Sequence, residues 1–202
     1  MVVTLQKGKA LTLDKQRHAL SKITIGCGWD VRVQSPGFLG SLLRNKPTAE
    51  FDLDIAALLL DDSGKCPDID DGFVYFNKMA DATYAVQLSD DNRDGEGEGD
   101  DEQISVDIDS LSSDVQQIVF FVAIYQGNAR GQRFGQVANA YIRAVDDRGV
   151  EMARYSLSGA DFKDMCALEF ARLVRAGVDW QFHAVGRGNR SDQFGDLIDP
   201  FL

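Results

Sequence analysis

Apolar and polar positions alternate along most of the chain, which is the two-residue period of half-buried strands. In residues 20–31, Ile23, Ile25 and Cys27 alternate with Lys22, Thr24 and Gly26. The stretch Phe51 to Leu60 opens with Asp52 and Asp54 on one face and then becomes continuously apolar. Residues 118–124, reading IVFFVAI, have the composition of a strand buried on both faces. Further strands are predicted at Phe73–Phe76, Tyr84–Leu88, Gln103–Ile108, Ala140–Val145, Val150–Tyr155 and Trp180–Val185. Asp146-Asp147-Arg148-Gly149 joins two of them as a hairpin turn, and Asp61-Asp62-Ser63-Gly64 forms another turn. One segment departs from this period. Ser158 to Asp161 can form a capping box, Phe162, Met165, Cys166, Phe170, Leu173 and Val174 follow at near-helical spacing, and Gly177 ends the run. The spacing predicts one helix at about 160–176. The whole pattern predicts a mostly β protein, an antiparallel β-sandwich with that one helix in its C-terminal half. A single domain spans 1–202, interrupted at 34–50 by a loop insertion carrying Pro36-Gly37, Gly40 and Pro47.

Charge changes this picture at one place. The formal net charge is −11 over 202 residues, and residues 90–102, D-D-N-R-D-G-E-G-E-G-D-D-E, carry −7 of it. The remainder carries only −4, so the acidity is local and does not mark a disordered chain. Lys and Arg are scattered without a basic stripe, which argues against nucleic acid as a partner. No apolar run approaches the length of a transmembrane segment, and the N-terminus lacks the apolar core of a signal peptide. Cys27, Cys66 and Cys166 are odd in number and far apart. They point to reduced thiols in a cytoplasmic protein, with Cys66 before Pro67 the one expected at the surface.

Glycine-spaced carboxylates on a bendable backbone suit a hard divalent cation, above all Ca²⁺. Asp90, Asn92, Asp94 and Gly95 match the first half of an EF-hand loop, but Asp101 stands where the bidentate Glu belongs. Both flanks read as strands, so the loop is expected to be a calcium site joining two strands. One ion removes only two negative charges, and eight carboxylates supply oxygens for more than one, so two Ca²⁺ ions are expected. The candidate ligands are Asp52, Asp54, Asp91, Asp94, Glu96, Asp100, Asp101 and Glu102, assisted by Asn92 and loop carbonyls, with Asp30 added from its place at a strand end. His18 and His183 have no cysteine at zinc-site spacing. No P-loop, G-x-S-x-G or G-x-G-x-x-G fingerprint occurs in a fitting context, and no catalytic residue or enzyme activity is expected. Asp107 and Asp109 alternate with Val106 and Ile108 and are expected on a solvent face. Arg143 and Arg154, on the strands of the predicted hairpin, can pair across it or with an acid, and no function is assigned to them.

Several motifs are similar to one family. Gly26-Cys27-Gly28-Trp29-Asp30, Asp52-Leu53-Asp54-Ile55-Ala56 and the loop Asp90–Glu102 resemble the TerD family of tellurium-resistance and stress-response proteins. Phe134-Gly135-Gln136-Val137 with Asn139-Ala140, Glu151-Met152-Ala153-Arg154-Tyr155 and Ala184-Val185-Gly186-Arg187-Gly188 extend the resemblance over essentially the whole chain. Asp90, Asp94 and Glu98 depart from the family's Gly, Thr and Asp, and all three departures are acidic. The resemblance implies a sandwich-like fold with Ca²⁺ held by the acidic loop and neighbouring strand ends. It also implies a role in tellurite resistance and stress defence, as a Ca²⁺-dependent binding or scaffold module. Its partners would be other proteins of a stress-response assembly near the membrane surface. A metal-dependent phosphoester hydrolase and a Ca²⁺-dependent membrane adaptor are the alternatives.

Overall fold

The computed structural model describes residues 2–14, 20–31, 51–89, 99–157 and 161–202. The insertion at 34–50, His18, and the loop residues Asp91, Asn92, Asp94 and Glu96 lie outside them. Twelve strands are described: β1 (Val3–Leu5), β2 (Ala10–Leu13), β3 (Lys22–Val31), β4 (Leu53–Leu60), β5 (Phe73–Val74) and β6 (Val86–Leu88); then β7 (Glu102–Asp107), β8 (Gln117–Ile124), β9 (Val137–Asp146), β10 (Glu151–Ser156), β11 (Ala167–Ala176) and β12 (Asp179–Asn189). The first sheet has the order β1-β10-β9-β3-β7-β6 and the second β2-β12-β11-β8-β4-β5. All pairs are antiparallel except β1 with β10. Three short helices, α1 (Ile69–Gly72), α2 (Gly127–Arg130) and α3 (Phe194–Ile198), complete the described elements apart from 3₁₀ turns.

The sandwich is closed by the alternating residues of the two sheets. Ile23, Ile25, Cys27 and Trp29 of β3, with Ile104 and Val106 of β7, face Leu53, Ile55 and Ala57 of β4 and Phe120 and Val122 of β8 in one core. Burial of that inner face is the main driving force. The continuous apolar runs of β4 and β8 have a second cause. Their outward residues Ala56, Leu58, Leu60, Val119 and Phe121 pack under Leu197, Ile198 and Phe201 of the C-terminal segment. Lys65 Nζ ties that segment down by donating to the carbonyls of Pro200 and Leu202, at 3.3 and 2.8 Å.

The sandwich, the strands around the acidic loop and the 146–149 hairpin turn agree with the sequence pattern, but the predicted helix at about 160–176 does not. Residues 167–176 are β11, a central strand between β12 and β8. A register shift between Glu169 and Ala171 interrupts its alternation. The inward residues therefore fall at Leu168, Phe170, Ala171 and Leu173, a spacing that imitates a helix. Gly177 ends no helix; at φ 69° it opens the two-residue turn into β12. Residues 158–160 of the proposed capping box lie outside the described residues. Cys66, expected at the surface, is buried at 8% exposure in the small outer core.

Candidate functional site

The acidic segment leaves the first sheet after β6 and returns at β7, so both flanks are strands, as the alternation predicts. Its returning end is tightly built. The Asp101 amide donates to the Cys27 carbonyl at 2.8 Å, and Asp101 Oδ2 accepts the Trp29 amide at 2.9 Å. Glu102 points inward, in the same alternating set as Ile104 and Val106, and is buried. Burial, together with the negative charges of Glu102, Asp100 and Asp101, holds the Cys27 thiol well above its ordinary pKa. Cys66 and Cys166 are also buried with raised pKa values, burial being the main cause. None of the three is the exposed, thiolate-forming cysteine that nucleophilic chemistry needs.

Asp100 has a different environment. It lies over the outer face of the first sheet, against the glycines of β3. A Cβ on Gly26 would coincide with the Asp100 carboxylate, and one on Gly28 would come within 2.6 Å of the Tyr141 ring. The two glycines of G-C-G therefore clear a cradle for these side chains. Arg143 grips Asp100 with a fork, Nε to Oδ1 at 2.8 Å and Nη2 to Oδ2 at 3.1 Å. Gln103 Nε2 donates to Oδ2 at 3.2 Å, and the Tyr141 hydroxyl lies 3.0 Å from Oδ1 and 2.6 Å from the Gly99 carbonyl. The carboxylate thus faces three N–H donors and a hydroxyl whose single proton it shares with the nearer Gly99 carbonyl, with its side chain only 1% exposed.

The grip extends sideways. Arg143 and Arg154 are direct cross-strand neighbours on β9 and β10, a like-charge pairing that would be unfavourable alone. Glu151 resolves it. It accepts Arg143 Nη1 at 2.9 Å and, bidentately, Arg154 Nε and Nη2 at 2.6 and 2.7 Å. Those bonds, Arg154's first, hold the Glu151 carboxyl below its usual range. Burial alone would lower the Arg143 pKa, but its bonds to Asp100 and Glu151 outweigh that and raise it. The Arg154 guanidinium also stacks 3.9 Å over the Tyr141 ring. Burial first, and the Asp100 charge second, push the Tyr141 phenol up to about 12.

Beside this network is a cavity of about 640 Å³ lined by Trp29, Asp30, Asp101, Asn139, Tyr141 and Arg154, among others. Asn139 stands at φ 51°, a conformation Asn tolerates, and its amide donates to Asp30 Oδ2 at 2.7 Å. Asp30, Asp100, Asp101 and Glu102 are thus brought to one end of the sandwich. Asp52 lies close to that end through its neighbour Phe51, whose carbonyl accepts Trp29 Nε1 at 3.3 Å. Asp54 does not join them. It falls in the outward set of β4, opposite to Leu53 and Ile55, and lines a separate cavity on the outer face of the second sheet.

The sequence pattern singled out the acids, but not Tyr141, Arg143 and Glu151 as the residues that seat one of them. The available signal was two arginines at matching positions of a predicted hairpin with one glutamate beside them. Asp107 has a local role: its carboxylate caps the turn after β7, accepting from Asp109 N, Ser110 N and Ser110 Oγ at 3.0, 3.0 and 2.8 Å. His183 sits half-buried on β12 against Gln181.

A TerD domain is matched over residues 1–201. The chain belongs to the TerD family. It is 40% identical to the tellurium resistance protein TerX of Serratia marcescens, over 100% of both chains. It is 35% identical to general stress protein 16U of Bacillus subtilis, over 93% of this chain and 91% of that one. The family to which it belongs is therefore one of tellurium-resistance and stress-response proteins. The crystal structure of a homologue of the telluride resistance protein TerD from Streptomyces coelicolor A3(2) superposes with a TM-score of 0.59 at 22% identity. It covers 87% of this chain and 94% of that one, and shows the same fold.

Among the described residues no group of three or more His, Cys, Asp or Glu side chains is placed to hold a metal ion. The described donors at the acidic end are all carboxylates, the hard oxygen type that Ca²⁺ prefers. Among the described residues no helix is long and apolar enough to cross a membrane.

Proposed function

We propose that this protein is a Ca²⁺-dependent binding or scaffold module of the tellurite-resistance and stress-response type, with calcium shaping the acidic end of the sandwich. One observation carries the reading: a formal −7 is confined to thirteen residues joined directly to a strand. Such a density of like charge is unfavourable unless a cation offsets it. Asp101 and Glu102 at the strand root, Asp30 and Asp52 beside it, and Asp91, Asp94 and Glu96 with Asn92 in the loop are the proposed donors, for two ions. Asp100 is assigned a different role, because its acceptor directions already face Arg143, Gln103 and Tyr141. It seats the loop's returning end, next to the proposed donors Asp101 and Glu102. The bound metal would supply charge neutralisation and a rigid surface for partner proteins.

Titration calorimetry with CaCl₂, paired with thermal melting in calcium and in chelator, tests the reading. Two equivalents of bound ion and a higher melting temperature in calcium are expected. No heat of binding together with identical melting curves would sink it.

A further inference from the structure

A second site lies on the outer face of the second sheet, where the Tyr125 amide donates to the Asp52 carbonyl at 2.8 Å. One wall of it is a run of aromatic rings. Phe73 stacks on Tyr75 with centroids 4.7 Å apart, Tyr75 meets Phe76 edge-on at 5.2 Å, and Phe194 meets Phe73 edge-on at 6.0 Å. The same cavity, of about 560 Å³, is also lined by Tyr125 and two carboxylates, Asp54 and Asp192. Phe76 and Tyr125 are 43% and 38% exposed, so both side chains are partly open to solvent. Asp192 takes neutral donors, the Asn128 amide and the Gln193 side chain, each at 2.8 Å. Its charge is therefore not cancelled by those contacts.

We propose that this cavity is a docking site for an arginine side chain presented by a segment of a partner protein. Ring faces attract cations, and carboxylates in the same cavity add a second attraction of the same sign. Among cations, guanidinium uses both features. It lies flat on a ring while its N–H fork bonds a carboxylate, whereas a quaternary ammonium has no N–H to donate and an ammonium is a point charge. One ring of the cavity, Tyr125, already attracts this cation type, with the Arg130 guanidinium 5.2 Å from its centroid. The volume exceeds one side chain and falls in the range of small-molecule pockets, so flanking peptide fits as well. A chain of net charge −11 would also steer a basic segment towards itself. The site holds no member of the proposed calcium set, so it does not depend on that reading.

The test uses the full-length protein, in chelator and again in calcium, with three blocked tripeptides: acetyl-Gly-X-Gly-amide where X is arginine, citrulline or lysine. Binding is followed by NMR shift changes and by calorimetry, with tetramethylammonium as a fourth probe. The arginine peptide is expected to saturate, to shift resonances of Phe76, Tyr125 and Asp54, and to bind about tenfold more tightly than its neutral citrulline counterpart. Phe76→Ala and Asp54→Asn should each weaken it about three- to tenfold, with far-UV spectra unchanged. Binding should survive chelator. Equal affinity for citrulline, tetramethylammonium binding as tightly as arginine, or shifts mapping to Asp101 and Glu102 would each overturn the proposal. So would the absence of saturable shifts at millimolar peptide. A calorimetric null for calcium with arginine binding intact would remove the metal reading and leave this one standing.

Discussion

Replacing Arg143 by Met keeps an unbranched apolar stem on β9 and deletes the fork that holds Asp100. The consequence can be sized from the local geometry. Asp100 is 1% exposed and loses two of its donors, at 2.8 and 3.1 Å. What remains is one amide from Gln103 and a phenol that sits nearer to the Gly99 carbonyl. Removing one partner of a fully buried ion pair costs about 3–5 kcal/mol. Arg143 is 24% exposed, so water partly compensates, and the lower end of that range is appropriate, about 3 kcal/mol. Glu151 also loses a donor but keeps both bonds from Arg154 and contributes little to the loss. For a chain of this length, that corresponds to a fall in Tm of about 6–12 °C. Asp100→Asn should be milder, about 1–2 kcal/mol, because Arg143 retains Glu151 and the amide still accepts one bond.

Urea unfolding followed by far-UV circular dichroism, in chelator, measures both variants and the double variant. The double variant should be less destabilised than the sum of the two, with a coupling energy of at least about 1.5 kcal/mol. An Arg143→Met protein within about 0.5 kcal/mol of the parent, or strict additivity in the cycle, would refute Asp100 as the seat of the loop.

Gly26→Ala drives a methyl into the space of the Asp100 carboxylate, so it should cost about 2–4 kcal/mol and abolish most of the effect of Arg143→Met in the same unfolding assay. Glu151 has a depressed pKa in the folded state, so its contribution is present above its unfolded pKa and lost as pH falls through the folded value. Stability measured from pH 6 down to pH 3 should therefore decline less steeply for Glu151→Gln than for the parent. Tyr141 is the opposite case. Its folded pKa of about 12 exceeds the unfolded value, so its contribution is complete below the unfolded pKa and disappears as pH rises through about 12. Ultraviolet titration should show a late-ionising phenol that is missing from Tyr141→Phe, beside that of Tyr155, which burial also pushes up. Phe201→Ala empties the outer core beneath the C-terminus, where Phe201 meets Phe121 edge-on at 6.0 Å, and should cost about 3 kcal/mol by calorimetric melting.

The sheets were legible wherever a strand kept its period. β3 and β7 show clean alternation because one face is core and the other is outside. β4 and β8 read as continuous apolar runs because the C-terminal segment covers their second face, a tertiary fact that a local window registers only as composition. β11 failed for a specific reason. One bulge between Glu169 and Ala171 shifts the inward set by a residue, so the polar residues Glu169, Arg172 and Arg175 also recur three apart, as on a helix face. β1 and β2 are three and four residues long, too short for a period to declare itself.

The site divides along the same line. Carboxylate density is a property of the one-dimensional chain, so the acidic loop stands out at once. Which acid does what depends on neighbours far away in sequence. Asp100 lies 43 residues from Arg143, and the cradle that admits it is an absence of side chains on a third strand, at Gly26 and Gly28. Adjacent acids therefore diverge: Asp100 is spent on an internal ion pair, while Asp101 and Glu102 turn towards Trp29 and the core end. Asp54, next in sequence to the inward Leu53, ends on the far side of its sheet. A pleated backbone sends neighbours to opposite faces, and in a sandwich only one of those faces is shared with the other sheet. Of ten residues that look equivalent as ligands in the sequence, the six described ones thus separate into an anchor, Asp100, candidate donors at Asp30, Asp52, Asp101 and Glu102, and Asp54, which lines a cavity with aromatic residues. The separation is testable without identifying any partner. Asp100→Asn should be read out in stability, Asp101→Asn in calcium heat, and Asp54→Asn in arginine binding, each with little effect on the other two.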